Sequence, residues 1–202
     1  MKYLIGAICA FSITGLAGAA EKQEIAKCAA KNGDAARLIC YDTLARSLAV
    51  DKPISTVVHG SGKWKATIDR SPIDDSENVY LSVEAEETIR SGYKTAKPTL
   101  NIRCAEQKTN VFITWDLYLG LESTQMLTRF DTAKATSDTW SISTNNTAVF
   151  VRGSDIGFAK KMMNHEKLLA QITPYGESPV MATFRVAGLS EAVKPLRKAC
   201  GW

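Results

Sequence analysis

Histidine is nearly absent from this chain, with only His59 and His165 among 202 residues. Serine-, cysteine- and metal-based hydrolysis all draw on imidazole for proton transfer or ligation, so two isolated histidines outside any His-x-x-x-His spacing leave those routes without candidates. Charge of one sign is also missing. The formal net charge is +4, with basic and acidic residues interspersed rather than blocked, and that balance is too mild for a nucleic-acid binder. There are no internal repeats, no low-complexity tracts, and no Cys-x-x-Cys knuckle of the kind that holds zinc. Past residue 20 no apolar run approaches the ~20 residues a membrane helix needs.

What is present begins with the N-terminus. Lys2 precedes an apolar run from Tyr3 to Leu16, and the small residues Ala17, Gly18, Ala19 and Ala20 follow. This is the form of a secretory signal, with cleavage expected after Ala19 and a close alternative after Ala20. Export places the remaining chain in an oxidising compartment, the periplasm. Cys9 leaves with the signal, so four of the five cysteines stay: Cys28, Cys40, Cys104 and Cys200. An even number in such a compartment reads as two disulfides. Three connectivities are open; Cys28 with Cys40 and Cys104 with Cys200 is favoured, because the first pair lies within one local element. Removing Lys2 turns 25 basic residues into 24 against 21 acidic, about +3 for the mature chain.

Residues 20–50 are rich in Ala, Lys, Glu, Arg and Leu and are interrupted at Lys31, Asn32, Gly33 and Asp34, which predicts a helical hairpin. Gly33 is expected to end its first helix and Asp34 to cap the second. Cys40, Leu44 and Leu48 recur every four residues, so they form a seam facing Cys28. Residues 51–62, with Pro53, His59, Gly60 and Gly62, read as a linker. From residue 63 the period becomes two. Trp64, Ala66 and Ile68 alternate, as do Val79, Leu81, Val83 and Ala85, then Leu100, Ile102 and Cys104, then Val111, Ile113 and Trp115. Further strands are expected at 125–130, 136–142 and 147–151, and a helix at 155–164 capped by Ser154. The chain closes with a hairpin through Tyr175 to Pro179, a strand carrying Val180, Ala182, Phe184 and Val186, and a helix capped by Ser190 that ends at Cys200. The fold class is α+β, mainly β: an antiparallel sandwich-like domain at 63–202 with helices at its edge, behind a disulfide-linked helical hairpin.

The acidic clusters Asp74, Asp75 and Glu77, and Glu84, Glu86 and Glu87, have the residue types of a sugar hydrolase, but neighbours in sequence seldom face each other across a substrate. They read as a turn and a strand end. Trp64, Trp115 and Trp140 fall on inward positions and read as core; with Trp202 they are the candidates for stacking on sugar rings. Asn145, Asn146 and Thr147 read as a turn. No catalytic, cofactor-binding or metal-ligating residue emerges, so the chain is expected not to be an enzyme and to use no cofactor.

Several blocks carry a resemblance: Cys28 to Asp42 with its Cys40-Tyr41-Asp42, Gly62-Lys63-Trp64, Arg70-Ser71-Pro72, and Leu100-Asn101-Ile102-Arg103-Cys104. Val111 to Trp115, Thr173 to Pro179 and Leu196-Arg197-Lys198-Ala199-Cys200 complete it. On these the chain resembles the VasI/TagO family of type VI secretion accessory proteins, exported by Gram-negative bacteria. The resemblance implies a non-enzymatic periplasmic accessory whose partner is another envelope protein, such as a component of the secretion membrane complex. The alternative is a peptidoglycan-binding module or an inhibitor of a wall-cleaving enzyme. Tyr175, Glu177 and Arg152 are the exposed residues expected to meet a partner.

Overall fold

The computed structural model describes residues 17–48, 54–56 and 60–202, with side chains for 22–48 and 60–202. Residues 1–16 of the expected signal, and His59, lie outside the described residues. The chain divides into two compact units, residues 1–52 and 53–202.

In the first unit α1 (Ala17–Ala29) and α2 (Asp34–Ser47) form a hairpin joined by the Cys28–Cys40 disulfide, with Cα atoms 5.3 Å apart. Cys28 is 3% exposed, whereas α2 has no fully buried residue and Leu48 of the expected seam is open to solvent. So little apolar surface is withdrawn from water that the covalent bridge carries much of the burden of holding the helices together. The N-cap of α2 is Gly33, at φ 87°, with no side-chain cap. Asp34, expected to be that cap, is the first helical residue and pairs with Arg37 one turn on. There its charge still favours the positive end of the helix.

The second unit opens with β1 (Ile54–Thr56), which lies inside the expected linker and pairs antiparallel with β2 (Lys65–Arg70). Three residues are too few to show a period, which is why the strand was hidden. Then come β3 (Glu77–Glu84), the small hairpin β4 (Ile89–Ser91) and β5 (Lys94–Ala96), β6 (Thr99–Ala105) and β7 (Lys108–Thr114). They are followed by β8 (Ser123–Phe130), β9 (Thr136–Ile142), β10 (Ala148–Phe150), α3 (Asp155–Met162), β11 (Lys167–Ile172) and β12 (Val180–Arg185). Two short helices, α4 (Leu189–Ala192) and α5 (Lys194–Cys200), close the unit.

Ten of these strands form one antiparallel sheet in the order β1-β2-β3-β6-β7-β10-β9-β8-β11-β12. It does not stay open. Ala85, just past β3, bridges to Phe184 in β12, and the Glu86 N–H donates to the Thr183 carbonyl at 2.8 Å. The sheet therefore curls until its last strand meets its third, and β1–β2 extends beyond that seam. Closure of this kind removes one of the exposed edges that would otherwise template aggregation.

Alternation sends Val79, Leu81, Leu100, Ile102, Val111, Ile113 and Trp115 inward, all at most 1% exposed. Leu168, Ala170, Ala182 and Phe184 meet them in the same core. Helix α3 lies against β7, and α5 against β3 and β6. Their Ala159, Met162 and Leu196 join the core, and the Cys104–Cys200 disulfide ties α5 to β6 with Cα atoms 5.8 Å apart. Ser154 caps α3 as expected, accepting from the Gly157 N–H at 2.9 Å. Ser190 does not cap: the helix starts one residue earlier, behind Gly188 in the left-handed region, so Ser190 lies within α4. Gly188 is there because the chain crosses itself at this point. A Cβ on it would sit 2.5 Å from the Ser61 carbonyl carbon, and one on Gly62 2.4 Å from the Ala187 oxygen. The same crossing lets the Trp64 indole N–H donate to the Val186 carbonyl at 3.1 Å.

Candidate functional site

The β11–β12 turn, Thr173 to Pro179, is set by Gly176 at φ 73° and by the Glu177 N–H donating to the Pro174 carbonyl. It projects Tyr175, 72% exposed, and binds it to the β7–β8 loop: the Tyr175 N–H donates to the Tyr118 carbonyl at 3.1 Å. The two phenol rings meet edge to face with centroids 5.8 Å apart. Gly120, at φ 92°, lets the loop pass under the Tyr175 ring, whose nearest atom would stand 3.4 Å from a Cβ placed there. The Asn146 amide fixes that loop by donating to the Gly120 carbonyl at 2.7 Å.

Leu121 is 71% exposed beside them. On the other flank the Glu177 carboxylate reaches the tip of the β4–β5 hairpin, 3.0 Å from where a Gly92 Cβ would sit, next to the fully exposed Tyr93. Tyr118 and Tyr175, with Leu121 and Tyr93 on the adjoining loop and hairpin tip, thus make an exposed apolar and phenolic rim that includes the Glu177 carboxylate. Large rigid aromatics with a polar tip are the residues most enriched at protein interfaces.

Arg152 is exposed but elsewhere. It follows Val151, whose N–H donates to Val111, whereas the rim lies past the opposite end of β7. The structure brings Tyr175 and Glu177 together and leaves Arg152 out.

The acidic clusters are occupied by cations and backbone. Glu84 binds Lys65 at 2.8 Å and Lys97 at 3.2 Å, and the Lys65 contact leads in holding its carboxyl below the usual value. Glu86 accepts from Arg185 at 3.0 Å, the main cause of its own depression, with Lys63 and Lys167 nearby. Glu87 accepts from the Thr183 N–H at 2.8 Å. Asp74 is lowered chiefly by the Ser71 hydroxyl and then by Ser76, as the carboxylate that organises the 71–76 turn. Asp74, Glu84 and Glu86 are thus kept ionised, the opposite of what a carboxylic general acid needs.

Asp155 is pushed upward by burial, yet its oxygen accepts from the Val111 N–H at 2.6 Å beneath the first turn of α3. His165 Nδ1 lies 2.8 Å from Asp131 and its ring stacks on Phe130 at 4.8 Å. That pair has the form of a base and its orienting carboxylate, but among the described residues no hydroxyl or thiol nucleophile binds the imidazole. Among the described residues no group of three His, Cys, Asp or Glu is placed to hold a metal. Trp64, Trp115 and Trp140 are at most 5% exposed and belong to the core, while Trp202 is half-buried and donates to the Thr109 hydroxyl at 2.8 Å.

A family model described as type VI secretion system VasI, EvfG matches residues 27–202, which takes in both disulfides and the rim. The chain belongs to the VasI family. The description attaches that family to type VI secretion, and two disulfides agree with an exported protein. Among the described residues no helix is long and apolar enough to cross a membrane. Among curated proteins no sequence matches significantly. One similar solved structure is that of invasion associated protein b from Bartonella henselae, at 11% identity and a TM-score of 0.49, covering 71% of this chain and 97% of that one.

Proposed function

We propose that this VasI-family chain is a periplasmic accessory of type VI secretion that performs no catalysis and works by binding another protein of the envelope, such as a component of the secretion membrane complex. The binding surface is the rim of Tyr118, Leu121, Tyr175 and Tyr93 with Glu177. The observation that carries this reading is the exposure of Tyr175 and Leu121 on loops held by backbone hydrogen bonds, since the faces they turn to water contribute nothing to the fold. Export is supported by the charged and apolar N-terminal run and by the two disulfides. The absence of catalysis is supported by the ion pairing of Glu84 and Glu86 and by the hydrogen bonding of Asp74 within its own turn.

The test is crosslinking in the periplasm followed by affinity capture and mass spectrometry, in cells with and without the secretion gene cluster, using the wild type and Tyr175→Ala. The reading expects a membrane-complex component in the wild-type capture that is lost with either the cluster or the tyrosine. Capture of the same proteins by both variants, or of none encoded with the secretion system, would overturn it.

A further inference from the structure

On the outer face of the sheet, away from the rim, a cleft of about 530 Å³ opens between the 71–76 turn and the β6–β7 turn. Its geometry follows from strand register. Tyr80 faces Arg103 and Arg103 faces Asn110, one row across β3, β6 and β7; the next row is Asn78, Ala105 and Lys108. Strands ~4.8 Å apart put Asn78 and Lys108 on either side of Ala105, whose single methyl leaves the hollow between them. Pro72 and the 87% exposed Ile73 form an apolar wall, on a turn made rigid by Ser71, Asp74 and Ser76.

The polar groups here are unspent. Arg103 uses Nε to donate to Asn110 at 3.3 Å, and its guanidinium lies 5.6 Å and 5.8 Å from the ring centres of Phe112 and Phe150, which stack on each other. Neither terminal nitrogen of that fork has an acceptor among the described residues. Lys108 has no carboxylate within 4 Å among the described residues, its charge reaching Asp155 only at longer range, and Glu106 stands at the mouth. Asn78 Oδ1 is withdrawn from solvent with no hydrogen-bond partner, one of two such side-chain atoms among the described residues. A buried acceptor left unmatched costs free energy that a donor from a ligand would recover.

We infer that this cleft is a binding site for a small carboxylate ligand carrying an N–H or O–H donor and a modest apolar portion. Arg103 and Lys108 take the carboxylate, Asn78 accepts from the donor, and Ile73 covers the apolar part. A preorganised guanidinium is suited to bidentate carboxylate recognition, and the volume admits a ligand of one sugar or one to two amino acids. Two sources share this chemistry, an acidic N-acylated sugar and an N-acylated amino acid. The site is independent of the protein-binding rim.

The test is an NMR titration of the intact, oxidised protein with N-acetylmuramic acid and with N-acetylalanine. Their neutral counterparts, N-acetylglucosamine and N-acetylalanine amide, are run beside them. The inference expects saturable shifts confined to amides of residues 71–80 and 103–110 with at least one carboxylate, and affinity at least about tenfold weaker for its neutral counterpart. Whichever carboxylate binds more tightly identifies the source. Lys108→Gln should weaken binding about tenfold, and Ala105→Leu should abolish it by filling the hollow while leaving the melting temperature unchanged. The second variant matters because Arg103→Gln disturbs the Phe112–Phe150 stack as well. No saturation by either acid at about 10 mM, equal binding of the neutral compounds, or undiminished binding by Ala105→Leu would each overturn the site.

Discussion

Replacing Cys104 and Cys200 together by alanine should cost the β unit about 5 to 6 kcal/mol. The two sulfurs join positions 96 residues apart, and in the chain-entropy account closing a loop of that length removes about 4.7 kcal/mol from the unfolded ensemble at 25 °C. Cys104 is fully buried, so trimming its sulfur adds a cavity cost of about 1 kcal/mol. Set against the ~5–15 kcal/mol typical of a domain, the variant stays folded but becomes marginal.

Urea unfolding followed by tryptophan fluorescence reads this directly, because Trp64, Trp115 and Trp140 are all buried in that unit. The midpoint should fall by about 2 M or more and the slope should rise, since the uncrosslinked chain exposes more surface. A loss below about 1 kcal/mol would refute the entropic reasoning. The Cys28–Cys40 bridge gives the contrast. Its separation of 12 corresponds to about 3 kcal/mol, but it staples helices of 13 and 14 residues with almost no core. Its removal should strip helical signal from far-UV circular dichroism and leave the fluorescence midpoint where it was.

Gly188→Ala should destabilise the β unit by about 2 kcal/mol or more, because φ is 87° and the new methyl would meet the Ser61 backbone at 2.5 Å; an unchanged thermal midpoint would mean that the crossing is not tight. Trp64→Phe should cost about 1 kcal/mol by removing the indole hydrogen bond to the Val186 carbonyl, which keeps the Leu189 N–H as its other donor, measured by the same urea titration. The Asp131 carboxyl is lowered chiefly by His165 and then by the Lys167 N–H, so it adds stability at pH values above its unfolded value near 3.8, and that part is lost as pH falls through the lower native value. Asp131→Asn should therefore flatten the decline of unfolding free energy below about pH 4, and a decline as steep as that of the wild type would show the contact to be inert. Tyr175→Ala should cost no more than the Tyr118 ring contact, about 1 kcal/mol, while abolishing capture of the partner, which separates a binding role from a folding one.

Most of the strands were legible in the sequence because alternation is a local property. Leu100, Ile102 and Cys104 announce an inward face, and so do Val111, Ile113 and Trp115, without knowledge of where the rest of the chain goes. What the alternation does not carry is order. β10, three residues long, enters between β7 and β9, and nothing in Ala148–Phe150 says which strands will flank it. The β4–β5 hairpin carries no readable period for the same reason as β1, since its strands are three residues each. The curl that brings Ala85 to Phe184 depends on backbone contacts at Gly62 and Gly188, where the signal is the absence of a side chain.

The same division governs the sites. Tyr175 and Glu177 could be picked out because a turn between two alternating strands must be exposed. Tyr118 and Tyr93 could not, since they join Tyr175 only after the sheet has curled and the hairpin at Gly92 has reached Glu177. The cleft was more deeply hidden. Asn78, Arg103 and Lys108 are unremarkable alone, and become one surface only through the pairing of Tyr80 with Arg103 and Ala105 with Lys108. A register shift of a single residue would turn Arg103 into the core and Ile102 out to solvent. The inward burial of Ile102 and Cys104 is thus the physical reason that Arg103 and Lys108 face the same side, and the core and the cleft stand or fall together.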